Sequence, residues 1–190
     1  MKIGLYFGSF NPIHIGHLII SEYVYNNTSI EQVWFILSPQ NPLKASSGLL
    51  NSYHRLHLLK LAIGDNAIFQ ASDVEFKLPT PSYTVDTLTY LREKYPQHQF
   101  VVIMGSDSFQ NIKNWKNYEL LLKEYEIIIY ERPGFKIDSS VLGNHILLQG
   151  APLLEISATQ IRNQIKARKS IRYMLPARVY QEIIENNYYL

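Results

Sequence analysis

Short apolar runs without alternation constrain the fold of this chain more than any other feature of its sequence. They cover residues 3–7, 33–37, 100–104 and 127–130 and are rich in β-branched and aromatic side chains. Successive apolar residues in a strand need cover on both faces, which a parallel sheet between two layers of helices provides. Helical patterns lie between the runs, at 18–25, 53–63 and 85–95. We therefore predict an α/β fold with a single Rossmann-like, doubly wound, mainly parallel sheet flanked by helices.

The sequence outside these runs gives no sign of a second domain. No repeat, linker or low-complexity tract interrupts the 190 residues, so we predict one domain over 1–190. Its C-terminal part, about 159–190, is predicted to be a helical extension with a break at Pro176. Hydrophobic residues make up 46% of the chain and charged residues 18%, which allows a sizeable core and argues against disorder.

Composition also excludes several classes of protein. The chain has no cysteine, which excludes a disulfide framework and a cysteine-based zinc site. The formal net charge of +2 does not by itself favour nucleic acid or a membrane surface. The N-terminus lacks a signal-peptide pattern, and no apolar run approaches the length of a membrane helix. We expect a cytoplasmic protein with neither nucleic acid nor a membrane as partner.

The segment between the first apolar run and the first helical pattern carries the strongest functional signal. His14 and His17 are three residues apart, so a helix that starts near His14 places both on one face of its first turn. The free amides of a helix N-terminus attract anions there. Gly8 allows a sharp turn, Ser9 offers a hydroxyl and an amide, and Gly16 leaves space as the helix begins. Either histidine alone is compatible with a helix cap or a core residue, but two imidazoles at a helix start can donate hydrogen bonds to phosphate oxygens. No third metal ligand is evident nearby, and the segment fits neither the P-loop nor the G-x-G-x-x-G pattern.

A second anion site is predicted near the C-terminus. Ser157 and Thr159 suit the start of a helix, and Arg162 lies one turn further on. Hydroxyls, amides and a guanidinium together bind anions well, although the same residues alone can be an ordinary helix cap with a surface arginine. Six basic and no acidic residues lie between 156 and 181. This run is typical of a solvated helix face or a nucleic-acid footprint, but beside an anion site it favours general attraction of a phosphate-bearing ligand.

Three segments in the middle of the chain are candidates for binding a second substrate. The helix start after Pro81 leaves free amides at 82–84, and amides without a basic side chain can hold a carboxylate. Trp115 can stack on a planar ring. Gly105 and Asp107 end the third apolar run, where ribose hydroxyls or a cation can meet a carboxylate. Each is also compatible with a purely structural role, as a helix cap, a core tryptophan and a turn.

Together, the first loop and the C-terminal segment resemble the HxGH nucleotidyltransferase superfamily. Residues 8–17 read G-S-F-N-P-I-H-I-G-H, like its HxGH signature, and residues 156–162 read I-S-A-T-Q-I-R. The latter is similar to the superfamily's I-S-S-T-x-I-R signature, with Ala158 in place of the second serine. The resemblance implies catalytic roles for His14, His17 and Arg162. It implies ATP contacts for Gly8, Ser9, Phe10, Gly16, Gly105, Asp107, Ile156, Ser157 and Thr159.

Over nearly its full length the chain is similar to the bacterial nicotinate-nucleotide adenylyltransferases. In that family the turn at 82–84 would receive a nicotinate carboxylate through backbone amides and Thr84, and Trp115 would stack on the pyridine ring. One departure is Leu43, which stands where the family often has a histidine, so a contact of that histidine is lost or supplied elsewhere. The resemblance implies substrate contacts for six residues: Lys44, Ser82, Tyr83, Thr84, Trp115 and Arg132.

The resemblance implies transfer of the adenylyl group of ATP to nicotinate mononucleotide, with Mg²⁺ bound through the ATP phosphates. Both partners are then small molecules, and a homo-oligomer is left open. Nicotinamide mononucleotide or another phosphate acceptor is the alternative within the enzyme class, because acid and amide differ by one small group. The turn at 82–84 and Trp115 argue against phosphopantetheine as acceptor. A nucleotide-binding module without turnover and a nucleic-acid-binding protein are the alternatives from other classes.

Overall fold

A parallel sheet forms the centre of the computed structural model, which describes residues 1–40, 48–138, 142–152 and 154–190. The strands are β1 (Lys2–Gly8), β2 (Gln32–Leu37), β3 (Phe69–Ser72), β4 (Gln99–Gly105), β5 (Ile127–Tyr130) and β6 (Ile146–Leu148). Every neighbouring pair is parallel, and the order across the sheet is β3-β2-β1-β4-β5-β6. The predicted doubly wound parallel sheet is confirmed.

Helices connect the strands on both faces. The described α-helices are α1 (Ile15–Asn27), α2 (Ser52–Ile63), α3 (Thr84–Lys94), α4 (Ser106–Gln110), α5 (Tyr118–Glu124), α6 (Ala158–Lys166) and α7 (Ala177–Glu185). Two short 3-10 helices cover Val74–Lys77 and Ile112–Asn114. The predicted C-terminal helical part is confirmed as α6 and α7, and the predicted break at Pro176 is confirmed because this proline is the N-cap of α7. None of the described helices is long and apolar enough to cross a membrane.

Apolar side chains cover the sheet on both faces, as the runs without alternation predict. One layer includes Leu59 of α2 and Ile161 of α6, and the other includes Leu88 of α3. Within β1, Leu5 packs into the second layer and Tyr6 into the first. Successive residues of a strand point to opposite faces, so both faces of β1 need apolar residues.

The two edge strands, β3 and β6, were not predicted from the sequence. β3 has only four residues, of which Gln70 is exposed, and β6 has three. Edge strands of this length bury few side chains, so they give no continuous apolar run. The four predicted strands lie in the interior of the sheet, where burial is complete enough to show in the sequence.

The topology places several candidate segments at one edge of the sheet. The strand order reverses between β1 and β4, which makes this the switch point where open α/β sheets bind ligands beyond the carboxyl ends of their strands. The histidine segment follows β1, and the segment with Gly105 and Asp107 follows β4. Both therefore begin at the same crevice.

Candidate active site

The two histidines of the first loop are stacked at the start of α1. His14 is the N-cap of this helix and His17 lies in its first turn. Their ring centroids are 3.7 Å apart and the ring planes differ by 28°. The prediction that both lie on one face of a first helical turn is confirmed.

A backbone hydrogen bond orients the ring of His17. The amide of His14 donates to Nδ1 of His17 at 3.2 Å, so Nδ1 carries a lone pair and neutral His17 carries its proton on Nε2. The rings of Tyr6 and Phe10 meet the imidazole edge-on, with centroids 6.0 and 5.2 Å away. The imidazole is thus held with one known tautomer, and its Nε2–H is the group suited to an anionic oxygen.

His14 is neutral at physiological pH because it is buried. Its side chain is 6% exposed. Burial, with a smaller contribution from the nearby charge of Arg132, lowers its pKa to about 4. Nδ1 of His14 is buried and has no hydrogen-bond partner in the described part of the chain. Such an atom is costly to leave unpaired, and a bound nucleotide can supply its partner.

Two glycines make room for aromatic rings in this loop. A Cβ on Gly8 would lie 2.8 Å from the ring of Phe10, and a Cβ on Gly16 would lie 3.1 Å from Nδ1 of His14. The predicted sharp turn at Gly8 is wrong, because Gly8 still belongs to β1. The left-handed residue is Phe10, with φ at 42°. Gly8 is needed for the close approach of a ring, and the predicted role of Gly16 in leaving space is confirmed.

The C-terminal segment contacts the first loop directly. Nη1 of Arg162 donates to the carbonyl of Asn11 at 2.8 Å, and its Nη2 donates to Oγ1 of Thr159 at 3.2 Å. Ser157 caps α6 by accepting from the amide of Gln160 at 3.1 Å, which confirms the predicted cap. The two segments with predicted phosphate contacts therefore form one site, although they are far apart in the sequence. Ile156, the remaining predicted residue here, packs half-buried against the core.

The ends of β4 and β5 contribute a charged pair. Nη1 of Arg132 lies 3.0 Å from Oδ2 of Asp107, and the amide of Arg132 donates to Oγ of Ser106 at 2.9 Å. A Cβ on Gly105 would lie 2.8 Å from Cδ of Arg132, so this glycine lets the arginine pass over the strand end. Asp107 and Arg132, predicted for different substrates, are thus direct neighbours.

The predicted substrate turn leads into α3, whose first residue is Thr84. No acceptor in the described ranges takes a hydrogen bond from the backbone amides of Ser82, Tyr83 and Thr84. The hydroxyl of Ser82 points inward and donates to Glu75, which leaves its amide as the group able to meet a ligand. The predicted helix start with free amides is confirmed.

The side chain of the residue after Trp115 reaches this turn. The neighbouring Lys116 places Nζ 4.8 Å from the centre of the Tyr83 ring and 2.8 Å from Oδ2 of Asp86. Trp115 is half-buried against the core, so part of its ring surface stays accessible. Lys44 and Leu43 lie outside the described residues.

Two buried charged residues beneath the site were not predicted from the sequence. Arg55 in α2 is 1% exposed and Glu75 in a 3-10 helix is 2% exposed. Arg55 stands three and four residues before Leu58 and Leu59, on the buried stripe of the helix, and a basic residue at such a position is a usable signal. The 3-10 helix has only four residues and offers no periodicity that could point to Glu75.

The described residues contain no group of three histidine or acidic side chains that could hold a metal ion. Mg²⁺ often has few protein ligands and is coordinated mainly by substrate phosphates and water.

Comparison with known proteins assigns this fold and site to a family. Residues 5–164 match the family model described as cytidylyltransferase-like. A relative from Cytophaga hutchinsonii, named "Probable nicotinate-nucleotide adenylyltransferase", is 51% identical over all of this chain and 98% of its own length. A relative of the same name from Flavobacterium psychrophilum is 47% identical over all of this chain and 99% of its own length.

A solved structure agrees with these relatives. The nicotinic acid mononucleotide adenylyltransferase of Plasmodium falciparum, complexed with NaAD, superposes with a TM-score of 0.83 at 26% identity. The match covers 99% of this chain and 97% of that one. The fold and the site thus define a cytidylyltransferase-like nucleotidyltransferase. The chain belongs to that family and, within it, to the nicotinate-nucleotide adenylyltransferases.

The buried neutral state of His14 predicts a pH-dependent stability. Its pKa is about 4 when folded and 6.5 in its ordinary range, so the unfolded chain takes up a proton first as the pH falls. The stability from neutral His14 is fully present above pH 6.5 and is lost as the pH falls towards about 4. We expect a loss of about 2 kcal/mol in unfolding free energy between pH 7.5 and 5 from this residue.

Urea unfolding of the nucleotide-free protein at both pH values measures this loss. His14→Asn is the matched variant, because asparagine can cap the helix but does not titrate. We expect the variant to lose about 2 kcal/mol less than the wild type over this pH range. Equal losses in both proteins would show that His14 titrates normally.

Proposed function

We propose that this chain transfers the adenylyl group of ATP to nicotinate mononucleotide, giving nicotinate adenine dinucleotide and pyrophosphate in NAD biosynthesis. The observation that carries the proposal is the hydrogen bond from Arg162 to the carbonyl of Asn11. It joins the histidine loop to the start of α6 and makes one anion site of two helix N-termini. The shared name of the relatives and the NaAD complex of the Plasmodium falciparum enzyme support the choice of acceptor.

In the proposed reaction a phosphate oxygen of nicotinate mononucleotide attacks the α-phosphorus of ATP in line. A new P–O bond forms as the bond from the α-phosphorus to the bridging oxygen breaks, and pyrophosphate leaves. The attacking phosphate is already ionised, so the protein need not remove a proton. Catalysis then consists of positioning and of stabilising the charge on the transferring group.

The histidines and the C-terminal segment divide this task. His17 donates from Nε2 to the α-phosphate oxygens, and neutral His14 provides a second ring nitrogen beside them. Arg162 binds the leaving pyrophosphate together with the start of α6, where Ser157 and Thr159 offer hydroxyls. The remaining contacts to ATP come from the carboxyl ends of β1 and β4, from the segments that follow them, and from the residue before Ser157. They are Gly8, Ser9, Phe10, Gly16, Gly105, Asp107 and Ile156.

The pyridine substrate is placed at the N-terminus of α3. The amides from Ser82 to Thr84 receive the nicotinate carboxylate, since the positive end of a helix dipole favours an anion. Trp115 stacks on the ring beside Tyr83. Lys44 and Arg132 supply positive charge for the phosphate. Magnesium enters as the MgATP substrate, held by phosphate oxygens and water.

Pyrophosphate release tests this function. The purified protein is given MgATP with either nicotinate or nicotinamide mononucleotide, and free pyrophosphate is measured over time. We expect strong preference for the acid, because its carboxylate meets the free amides of α3. Equal use of both would retain the adenylyl transfer and reject the carboxylate site, whereas no release with either would reject the function.

His17→Ala should lower turnover by at least about a hundredfold, because a donor to the transition state is lost. His57→Ala is the matched control, since His57 is an exposed histidine of α2 and is expected to keep normal turnover. The melting temperature of both variants shows whether the fold survives. Near-normal turnover of a folded His17→Ala protein would remove His17 from the mechanism.

Trp115→Ala should raise the KM for nicotinate mononucleotide far more than the KM for ATP, because the stacking surface belongs to the pyridine site. Trp115→Phe keeps a flat ring and should restore most of the affinity. Steady-state kinetics with each substrate varied in turn measures both values. Equal rises in both KM values would assign Trp115 to the core instead.

A further inference from the structure

Arg55 donates hydrogen bonds to three irregular segments at the carboxyl ends of the strands. Its Nη1 donates to the carbonyls of Ser9 and Ser38 at 2.7 and 2.8 Å, and its Nη2 donates to that of Pro39 at 2.8 Å. Nε donates to the carbonyl of Leu50 at 2.8 Å. No carboxylate of the described ranges pairs with this guanidinium. The buried charge is therefore shared among backbone carbonyls of the histidine loop and of the segments around it.

Ser38 connects these segments to a second buried charge. Its amide donates to the carbonyl of Gly8 at 2.9 Å, and its carbonyl accepts from Arg55. Its hydroxyl donates to Oε2 of Glu75 at 2.7 Å. Ser38 follows directly after β2, so it joins the loop after β1 to the 3-10 helix that follows β3.

Glu75 in turn holds the segment with the proposed carboxylate site. Oε2 also accepts from the hydroxyl of Ser82, and Oε1 accepts from Oγ1 of Thr87 at 2.9 Å. Ser82 lies in the turn before α3 and Thr87 in the first turn of α3. Two hydroxyls thus fix the turn and the helix start to one buried carboxylate.

A carboxylate suits this place for a chemical reason. Three hydroxyls, from Ser38, Ser82 and Thr87, donate to the two oxygens of Glu75. An ionised carboxylate can accept all three hydrogen bonds, because both of its oxygens are acceptors only. An amide of the same shape presents a donor on one side, so at least one hydroxyl has to reverse or lose its partner. Burial raises the pKa of Glu75, while the three hydrogen bonds act in the opposite direction.

We propose that Glu75 is a positioning residue that sets the specificity for the pyridine mononucleotide, by fixing the amides from Ser82 to Thr84 through the hydroxyls of Ser82 and Thr87. Arg55 and Ser38 extend the same hydrogen-bond network to the histidine loop. The turn proposed to bind the mononucleotide and the histidine loop are thereby fixed relative to each other. This inference rests on the proposed function.

Glu75→Gln tests the proposal, because it keeps the shape of the side chain and removes only its capacity to accept three hydrogen bonds. We expect the KM for nicotinate mononucleotide to rise at least about tenfold, with a change below about threefold in the KM for ATP. The preference for acid over amide should fall as well. Glu126→Gln is the matched control, because Glu126 pairs with Lys2 at the amino ends of the strands, away from the site. This variant should leave both KM values unchanged.

A double-mutant cycle separates positioning from general loss of stability. Ser82→Ala removes the hydroxyl that meets Glu75 but keeps the backbone amide, so it should raise the same KM by a similar factor. The Glu75→Gln/Ser82→Ala double variant should be little worse than either single variant, because both break one interaction. Should Glu75→Gln fail to fold, Ser82→Ala and Thr87→Val carry the same test, because each removes one hydroxyl that meets Glu75 and leaves the carboxylate in place.

The outcomes distinguish this inference from the function itself. A wild-type protein without pyrophosphate release would overturn both. Normal wild-type turnover, together with an unchanged KM for the mononucleotide in Glu75→Gln and Ser82→Ala, would overturn the role of Glu75 alone. An equal rise in both KM values, or strictly additive effects in the double variant, would also overturn it.

Discussion

The site is built around the buried guanidinium of Arg55, which pairs with no carboxylate in the part of the chain that the structure describes. Loops beyond the carboxyl ends of parallel strands carry carbonyls that no ladder satisfies, and such groups need donors when they are buried. Arg55 supplies these donors to the carbonyls of Ser9, Ser38, Pro39 and Leu50. Removing a charge of this size from water costs several kcal/mol, and charge-assisted hydrogen bonds offset that cost. The arginine in this way gives irregular backbone a fixed shape.

Much of the fold could be predicted because its central strands are fully covered. The runs that became β1, β2, β4 and β5 are buried almost throughout, so their composition alone identifies them. The edge strands β3 and β6 are short, and their pairing depends on neighbours distant in the chain. Local sequence carries little information about such contacts. The turn in the first loop was predicted at Gly8, but the left-handed residue is Phe10, a residue type that rarely adopts this conformation.

The candidate site also has features that the sequence predicted and features that it did not. The spacing of His14 and His17 predicted the stacked pair, because helical geometry follows from sequence alone. The contacts of Arg55 and Glu75 join the connections that follow β1, β2 and β3, and local sequence carries no information about contacts between separate connections. The pairing of Asp107 with Arg132 was also not predicted, although both residues follow neighbouring strands. Roles assigned from the resemblance rest on these positions and await the kinetic measurements.

The bond between Arg162 and Asn11 spans 151 residues of sequence. A contact of this separation forms late, because the entropy of closing so long a loop must first be overcome. During synthesis the histidine loop leaves the ribosome long before α6 exists, so a growing chain cannot assemble the phosphate site. Nucleotide that binds across both segments also stabilises the folded state by mass action. A ligand that contacts both segments therefore raises the free energy of unfolding by an amount set by its concentration relative to its Kd.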